Sequence, residues 1–142
     1  MTNPELYPYI QAQDPQGKIL SRPLMPLKLE NDTQSMVLNG LLDTGATINV
    51  LPYEIGLALG LVWSQQNRSV ELTGNLAQFE ARASILIGVI GQFQPIPLVF
   101  AWTRAEGIPL LLGQVNFFAE FDVCFFHARG IFEIQPKVEL SS

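Results

Sequence analysis

The sequence is short of the residues that usually build covalent and metal chemistry: its 142 residues include one Cys, Cys124, and one His, His127. A single Cys closes no intrachain disulfide, so no oxidising compartment is implied. One Cys and one His also fall short of a metal-ligand set, and no metal or other cofactor is expected. The two lie across a strand and a turn, facing different ways, and no acid orients the imidazole. They read as a core thiol and a loop imidazole rather than as nucleophile and base.

Charge is scarce too, at 15% of residues, with 8 Lys+Arg against 13 Asp+Glu and a net charge of −5. That balance lacks the basic surface that neutralises phosphates, so no nucleic-acid partner is expected. Long apolar runs are missing: Ile55–Trp63 and Ile108–Leu112 fall far below the roughly 20 residues of a spanning helix. The start Met1-Thr2-Asn3-Pro4-Glu5 lacks the basic-then-apolar layout of a secretory signal. No membrane partner is expected, and a cytoplasmic location is the default.

What is present is apolar and finely divided. Hydrophobic residues make up 48%, which excludes a disordered chain, and the length suits one domain. Eleven Gly and ten Pro cut the chain into short segments rich in Val, Ile, Leu and Phe, an all-β pattern. Residues 1–18 are polar and Pro-rich, and read as an extended or loosely attached arm. Arg22–Glu30 alternates and carries prolines suited to an edge strand. Asn31-Asp32-Thr33 turns the chain into a strand over Ser35–Leu42. A short helix opens at Leu51-Pro52-Tyr53-Glu54 and stops at Gly60.

From Ala77 to Ile87 the odd positions are apolar and most even ones polar, the period of a half-buried strand. Arg68–Leu72 is its expected partner, with Thr73-Gly74-Asn75 at the tip of a long hairpin. Gly88-Val89-Ile90-Gly91 reads as a turn between strands, and Ile96–Ala101 as another strand. Gln114–Phe121 can form a short helix, and Val123–Phe126 with Ile131–Ile134 a last hairpin ended by Pro136. The aromatic group Phe117, Phe118, Phe121, Phe125 and Phe126 reads as core or dimer packing.

The segment most suggestive of chemistry is Leu41-Leu42-Asp43-Thr44-Gly45-Ala46, an acid at the end of an apolar strand followed by a turn of small residues. A carboxylate there is costly unless hydrogen bonds serve it. Thr44 and Gly45 offer a hydroxyl and a backbone N–H, and Gly45 lets the chain turn tightly below the acid. The plainer alternative for Asp43 is a turn-capping aspartate.

These residues resemble the active-site motif of aspartic proteases, particularly the single-lobed retropepsins. The hairpin around Thr73-Gly74-Asn75 stands where that family carries its flap, and Leu111-Leu112-Gly113 before a short helix resembles its second hydrophobic-hydrophobic-Gly element. The likeness covers roughly residues 19–135. It departs at Gln114, where viral members usually carry a basic residue. The run from Leu112 to Val123 looks closer to the C-terminal lobe of two-lobed pepsins.

The resemblance implies an all-β, single-lobed barrel with a flap hairpin and one or two short helices, forming a two-fold dimer. Its divisions would be an arm over residues 1–18, the retropepsin-like domain over 19–136 and a tail over 137–142. The implied activity is that of an endopeptidase working best in mildly acid conditions. Asp43 would be catalytic, Thr44, Gly45 and Ala46 would support its loop, and Leu72, Thr73, Gly74, Asn75 and Leu76 would form the flap over a peptide substrate. Leu42, Leu72, Leu76 and Ile108 would supply an apolar lining. Only one Asp-Thr-Gly occurs, so the second carboxyl would come from another copy of the chain. A catalytically silent dimerisation or peptide-binding module of the same fold is the alternative.

Overall fold

The computed structural model describes residues 3–138. The chain begins with β1 (Glu5–Pro8), β2 (Ile10–Gln13) and β3 (Ile19–Arg22), then β4 (Leu24–Asn31) and β5 (Gln34–Leu42). After the Asp43 turn come β6 (Asn49–Pro52) and the helix α1 (Tyr53–Ala58), then β7 (Ser69–Val70), β8 (Ala81–Val89) and β9 (Ile96–Thr103). β10 (Leu111–Leu112), the single-turn helix α2 (Phe117–Glu120), β11 (Phe121–Phe126) and β12 (Ile131–Pro136) complete it.

Six strands close on themselves in the order β4-β5-β10-β6-β9-β8, with β8 returning to β4 and β7 attached outside to β8. Closure removes the exposed edges that invite aggregation. The barrel interior holds Met25, Leu27 and Leu29 from β4, Leu51 from β6, Leu86 from β8 and Leu98, Phe100 and Trp102 from β9. Each such large side chain, fully buried, contributes on the order of 1.5–3 kcal/mol.

α1 begins after Pro52, whose missing N–H costs nothing at a helix start, and the chain leaves through Gly60 at φ +84°. It lies directly on Trp102: a Cβ at Gly56 would come 2.3 Å from the indole nitrogen. The indole N–H donates to the Tyr53 carbonyl at 3.1 Å, and the Tyr53 ring stacks on the indole. Among the described residues, no helix is long and apolar enough to cross a membrane.

A second sheet, β1-β12-β11, joins the two ends of the chain. The arm expected over residues 1–18 is extended but not loose. β1 pairs antiparallel with β12 from Glu5↔Ile134 to Pro8↔Ile131, Tyr7 stacks on Phe132, and β2 pairs with β3. Glu5 holds the arm at a second point, accepting the Gln92 N–H at 2.9 Å and the Tyr7 hydroxyl. Burial, and then the neighbouring Glu5 carboxylate, push the Tyr7 phenol well above its ordinary value. The expected tail over residues 137–142 lies mostly outside the described residues.

Several local expectations need correction. β4 is not an edge strand, because β5 and β8 flank it. Its proline is tolerated because β8 meets β4 only at Lys28–Glu30, leaving Pro26 beyond that ladder. The long strand starts at Ala81 rather than Ala77, and of its expected partner Arg68–Leu72 only Ser69 and Val70 form a ladder with it. Its inner face is also reversed: Leu86 and Ser84 point inward, whereas Ile85 and Ile87 are exposed. Cross-strand register explains this, since Leu86 stands opposite Leu98 and Ser84 opposite Phe100. Gly88 lies inside β8, with the turn at residues 90–93 instead. The helix expected from Gln114 shortens to Phe117–Glu120. Cys124 is exposed on β11 rather than a core thiol, and Phe125 is 37% exposed while Phe117 and Phe121 are buried.

Candidate functional site

The site is built where β5 stops. Leu41 and Leu42 run parallel to Leu111 and Leu112, and the Asp43 N–H donates to the Leu112 carbonyl at 3.0 Å. Asp43 therefore leaves the barrel at a fixed point. The chain then turns back through an Ala46 N–H to Asp43 carbonyl bond of 3.0 Å. Inside this turn the Gly45 N–H donates to Asp43 Oδ1 at 2.9 Å. This backbone donor satisfies one oxygen of the carboxylate. Asp43 is half-buried, while Thr44 and Gly45 face solvent.

Residues 113–116 lie along this loop and hold it. The Gln114 N–H donates to the Ala46 carbonyl at 3.0 Å, the Val115 N–H to Thr47 at 2.9 Å, and the Asn49 N–H to Val115 at 3.0 Å. The contact admits no side chain at Gly113, where a Cβ would stand 2.6 Å from the Ile48 oxygen and 2.8 Å from that of Ala46. Gln114 adds a side-chain bond, its Nε2 donating to the Thr44 carbonyl at 2.8 Å.

Below the loop lies a fully buried carboxamide, Asn49. Its Oδ1 accepts the Gly113 N–H at 2.8 Å, and its Nδ2 donates to Val99 O at 3.0 Å and Asn116 Oδ1 at 3.1 Å. Asn116 Oδ1 also accepts the Val99 N–H, and its Nδ2 donates to Pro97 O. The pair thus ties β6, β9 and the Gly113 segment together with every polar atom satisfied, as a buried polar network must be. Neither Asn was anticipated from sequence. A lone polar residue between Ile48 and the apolar Val50-Leu51 was the available signal.

In front of Asp43 opens a cleft of about 280 Å³, lined by residues 45–48, Val50, Leu111 and the segment Glu71–Leu76. That volume sits below the range of roughly 300–1,000 Å³ typical of whole ligand pockets. The expected flap residues Leu72, Thr73, Gly74, Asn75 and Leu76 all line the cleft opposite Asp43, together with Gly45 and Ala46. They lie in the long loop that joins the short antiparallel pair β7 and β8, where Gly74–Leu76 forms one 3₁₀ turn. Leu72 is buried against Val50, Ala81 and Ala101. Of the expected apolar lining, Leu72 and Leu76 reach the cleft, Leu42 belongs to the barrel core, and Ile108 packs on the second apolar cluster without lining the cleft. Ile48, Val50, Leu111 and Glu71 complete the wall.

The base of the 71–80 segment is braced. Arg82 Nη1 donates to the Trp63 carbonyl at 2.6 Å, and its guanidinium stands 4.6 Å from the indole centroid. Arg104 reaches the same ring at 4.6 Å. Among the described residues, no three His, Cys, Asp or Glu side chains come together to hold a metal ion.

No protein-family model matches the chain, and no curated protein matches its sequence. Solved structures do. A retropepsin-like aspartic protease from Rickettsia conorii superposes with a TM-score of 0.61 at 16% identity, over 94% of this chain and 99% of that one. The chain has a retropepsin-like fold. EIAV protease, solved with an inhibitor, is also similar, with a TM-score of 0.48 and 24% identity over 66% of this chain and 83% of its own. The retropepsin-like barrel accounts for the parallel contact of Leu41-Leu42 with Leu111-Leu112, which sets the Asp43 turn on the barrel rim.

Proposed function

We propose that this chain is an aspartic endopeptidase that acts as a homodimer, each copy giving one Asp43. The reading rests on one observation: an Asp43 carboxylate, fed by the Gly45 N–H on a rigidly latched turn, at the rim of a cleft walled by both apolar and polar residues. Asp43, Thr44 and Gly45 lie on the open side of the chain, and Thr44 and Gly45 are exposed. A two-fold axis beside the turn would bring the carboxyl to its equivalent.

Two carboxyls around one water cannot both ionise easily, so one keeps its proton. The ionised Asp43 takes a proton from the water as oxygen attacks the peptide carbonyl; the protonated one donates to the developing oxyanion. Proton return to the leaving nitrogen completes hydrolysis. Thr44 would join the two turns across the axis, and Ala46 leaves room beside the acid. The Leu72–Leu76 segment would act as the flap, covering an extended peptide and excluding water. Ile48, Val50, Leu72, Leu76 and Leu111 favour apolar side chains beside the scissile bond. Activity should peak in mildly acid solution, where the pair holds one proton.

The decisive experiment sets wild type against Asp43→Asn, with a broad peptide library assayed across pH and sedimentation across concentration. Wild type should cleave as a dimer, and the Asp43→Asn variant should lose cleavage while its dimer persists. Cleavage that survives the substitution, or a lone subunit that cleaves, overturns the proposal. A wild type that binds peptides but cuts none would make it a binding module.

A further inference from the structure

The hydrogen bonds around Asp43 form a chain longer than the carboxylate's own shell. The peptide unit between Thr44 and Gly45 carries both ends of the link. Its N–H donates to Asp43 Oδ1 at 2.9 Å, and its C=O accepts from Gln114 Nε2 at 2.8 Å. A peptide group whose oxygen accepts a hydrogen bond is polarised, and its N–H becomes the stronger donor. Gln114 itself is fixed by its backbone, since its N–H donates to Ala46 O.

We infer that Gln114 is a positioning residue for Asp43: its carboxamide orients and polarises the Thr44–Gly45 peptide so that the Gly45 N–H better supports the ionised carboxylate. This inference rests on the protease reading for its consequence, although the relay exists without it. Gln114 does not reach the cleft, so it acts only through the peptide it holds.

In the proposed dimer the second copy's Asp43 faces this one, the same in every variant; within one chain, other charges beside the loop are few. Segments 44–50 and 111–116 carry none, and Glu71 is the other titratable group lining the cleft. Arg22, exposed, precedes Pro23, whose carbonyl accepts the Leu42 N–H. Neither Glu71 nor Arg22 is altered by a change at residue 114.

The test substitutes Gln114→Met, which keeps length and bulk but removes the donor, alongside Gln114→Glu and Gln114→Arg. Two readouts are followed: the acid limb of the kcat/KM profile, and the Asp43 carboxyl carbon by NMR titration of the full chain. Cooperative strengthening of roughly 10–30% on a charge-assisted bond corresponds to an upward displacement on the order of 0.3 pH unit in Gln114→Met. Gln114→Glu should move it at least as far upward, and Gln114→Arg, which restores a donor, should return it to or below wild type. Thermal unfolding of the Met variant should stay close to wild type, since the residue is exposed. An unchanged Asp43 titration in Gln114→Met, or lost stability with an unchanged titration, overturns the relay. If wild type cleaves nothing, the protease reading fails and the NMR titration still decides the relay.

Discussion

Gly113→Ala is the sharpest single probe of how the site is held. A Cβ there would lie 2.6 Å from the Ile48 carbonyl oxygen, 2.8 Å from its carbon and 2.8 Å from the Ala46 oxygen. All three are backbone atoms, so no rotamer change relieves the clash. Either residues 46–48 or residues 112–115 must shift. Overpacking of this kind costs roughly 1–3 kcal/mol. The shift also strains the bonds from Gln114 N–H to Ala46, from Val115 N–H to Thr47 and from Gly113 N–H to Asn49, each worth about 1 kcal/mol. A total of about 3 kcal/mol follows, which at this chain length lowers Tm by roughly 10 °C. Gly107→Ala is the control: its φ is +71° with nothing within 4 Å of the added carbon. Only the left-handed backbone is charged there, at about 1 kcal/mol. Thermal unfolding by circular dichroism reads both. Equal losses in the two variants, or no loss in Gly113→Ala, would show that the loop and the segment behind it are not in the contact described.

Asn49→Ala should cost about 3 kcal/mol in urea unfolding, because it leaves the buried Gly113 N–H and Val99 carbonyl without their partner; a loss under about 1 kcal/mol would mean the network is dispensable. Gly56→Ala should destabilise by roughly 1–3 kcal/mol, since the indole 2.3 Å away is locked between Tyr53 and Trp63; near-UV dichroism should register the displaced Trp102. Tyr7 gives a pH dependence with a definite sign. Its phenol is raised in the folded chain by burial and then by Glu5, so its contribution is complete below about pH 10 and declines as pH climbs and the unfolded chain ionises. Ultraviolet titration should find a tyrosine resistant to alkali, and Glu5→Gln should lower its pKa; the absence of any such tyrosine would contradict the docked arm.

Much of the molecule was readable from local chemistry. The Asn31-Asp32-Thr33 turn, the Pro52 helix start, the Gly60 exit and the final hairpin each follow from residue types whose backbone preferences are nearly independent of neighbours. The Asp43-Thr44-Gly45 turn belongs with them, because its hydrogen bond spans two residues. Strand period was legible as well.

Which face of a strand goes inside was not. Alternation from Ala77 to Ile87 divides the residues into two sets, but a period of two is blind to which set meets the core. The register that puts Leu86 across from Leu98 decides it, and strands far apart in the chain set that register. Barrel closure likewise makes β4 an interior strand despite its proline, and β12 turns a polar N-terminal arm into a docked strand. The same holds for Asn49, Asn116 and Gln114, whose partners lie between 17 and 70 residues away. Composition and turn chemistry fix what an acid on a tight loop can do; only long-range pairing fixes where that acid points and what holds it there.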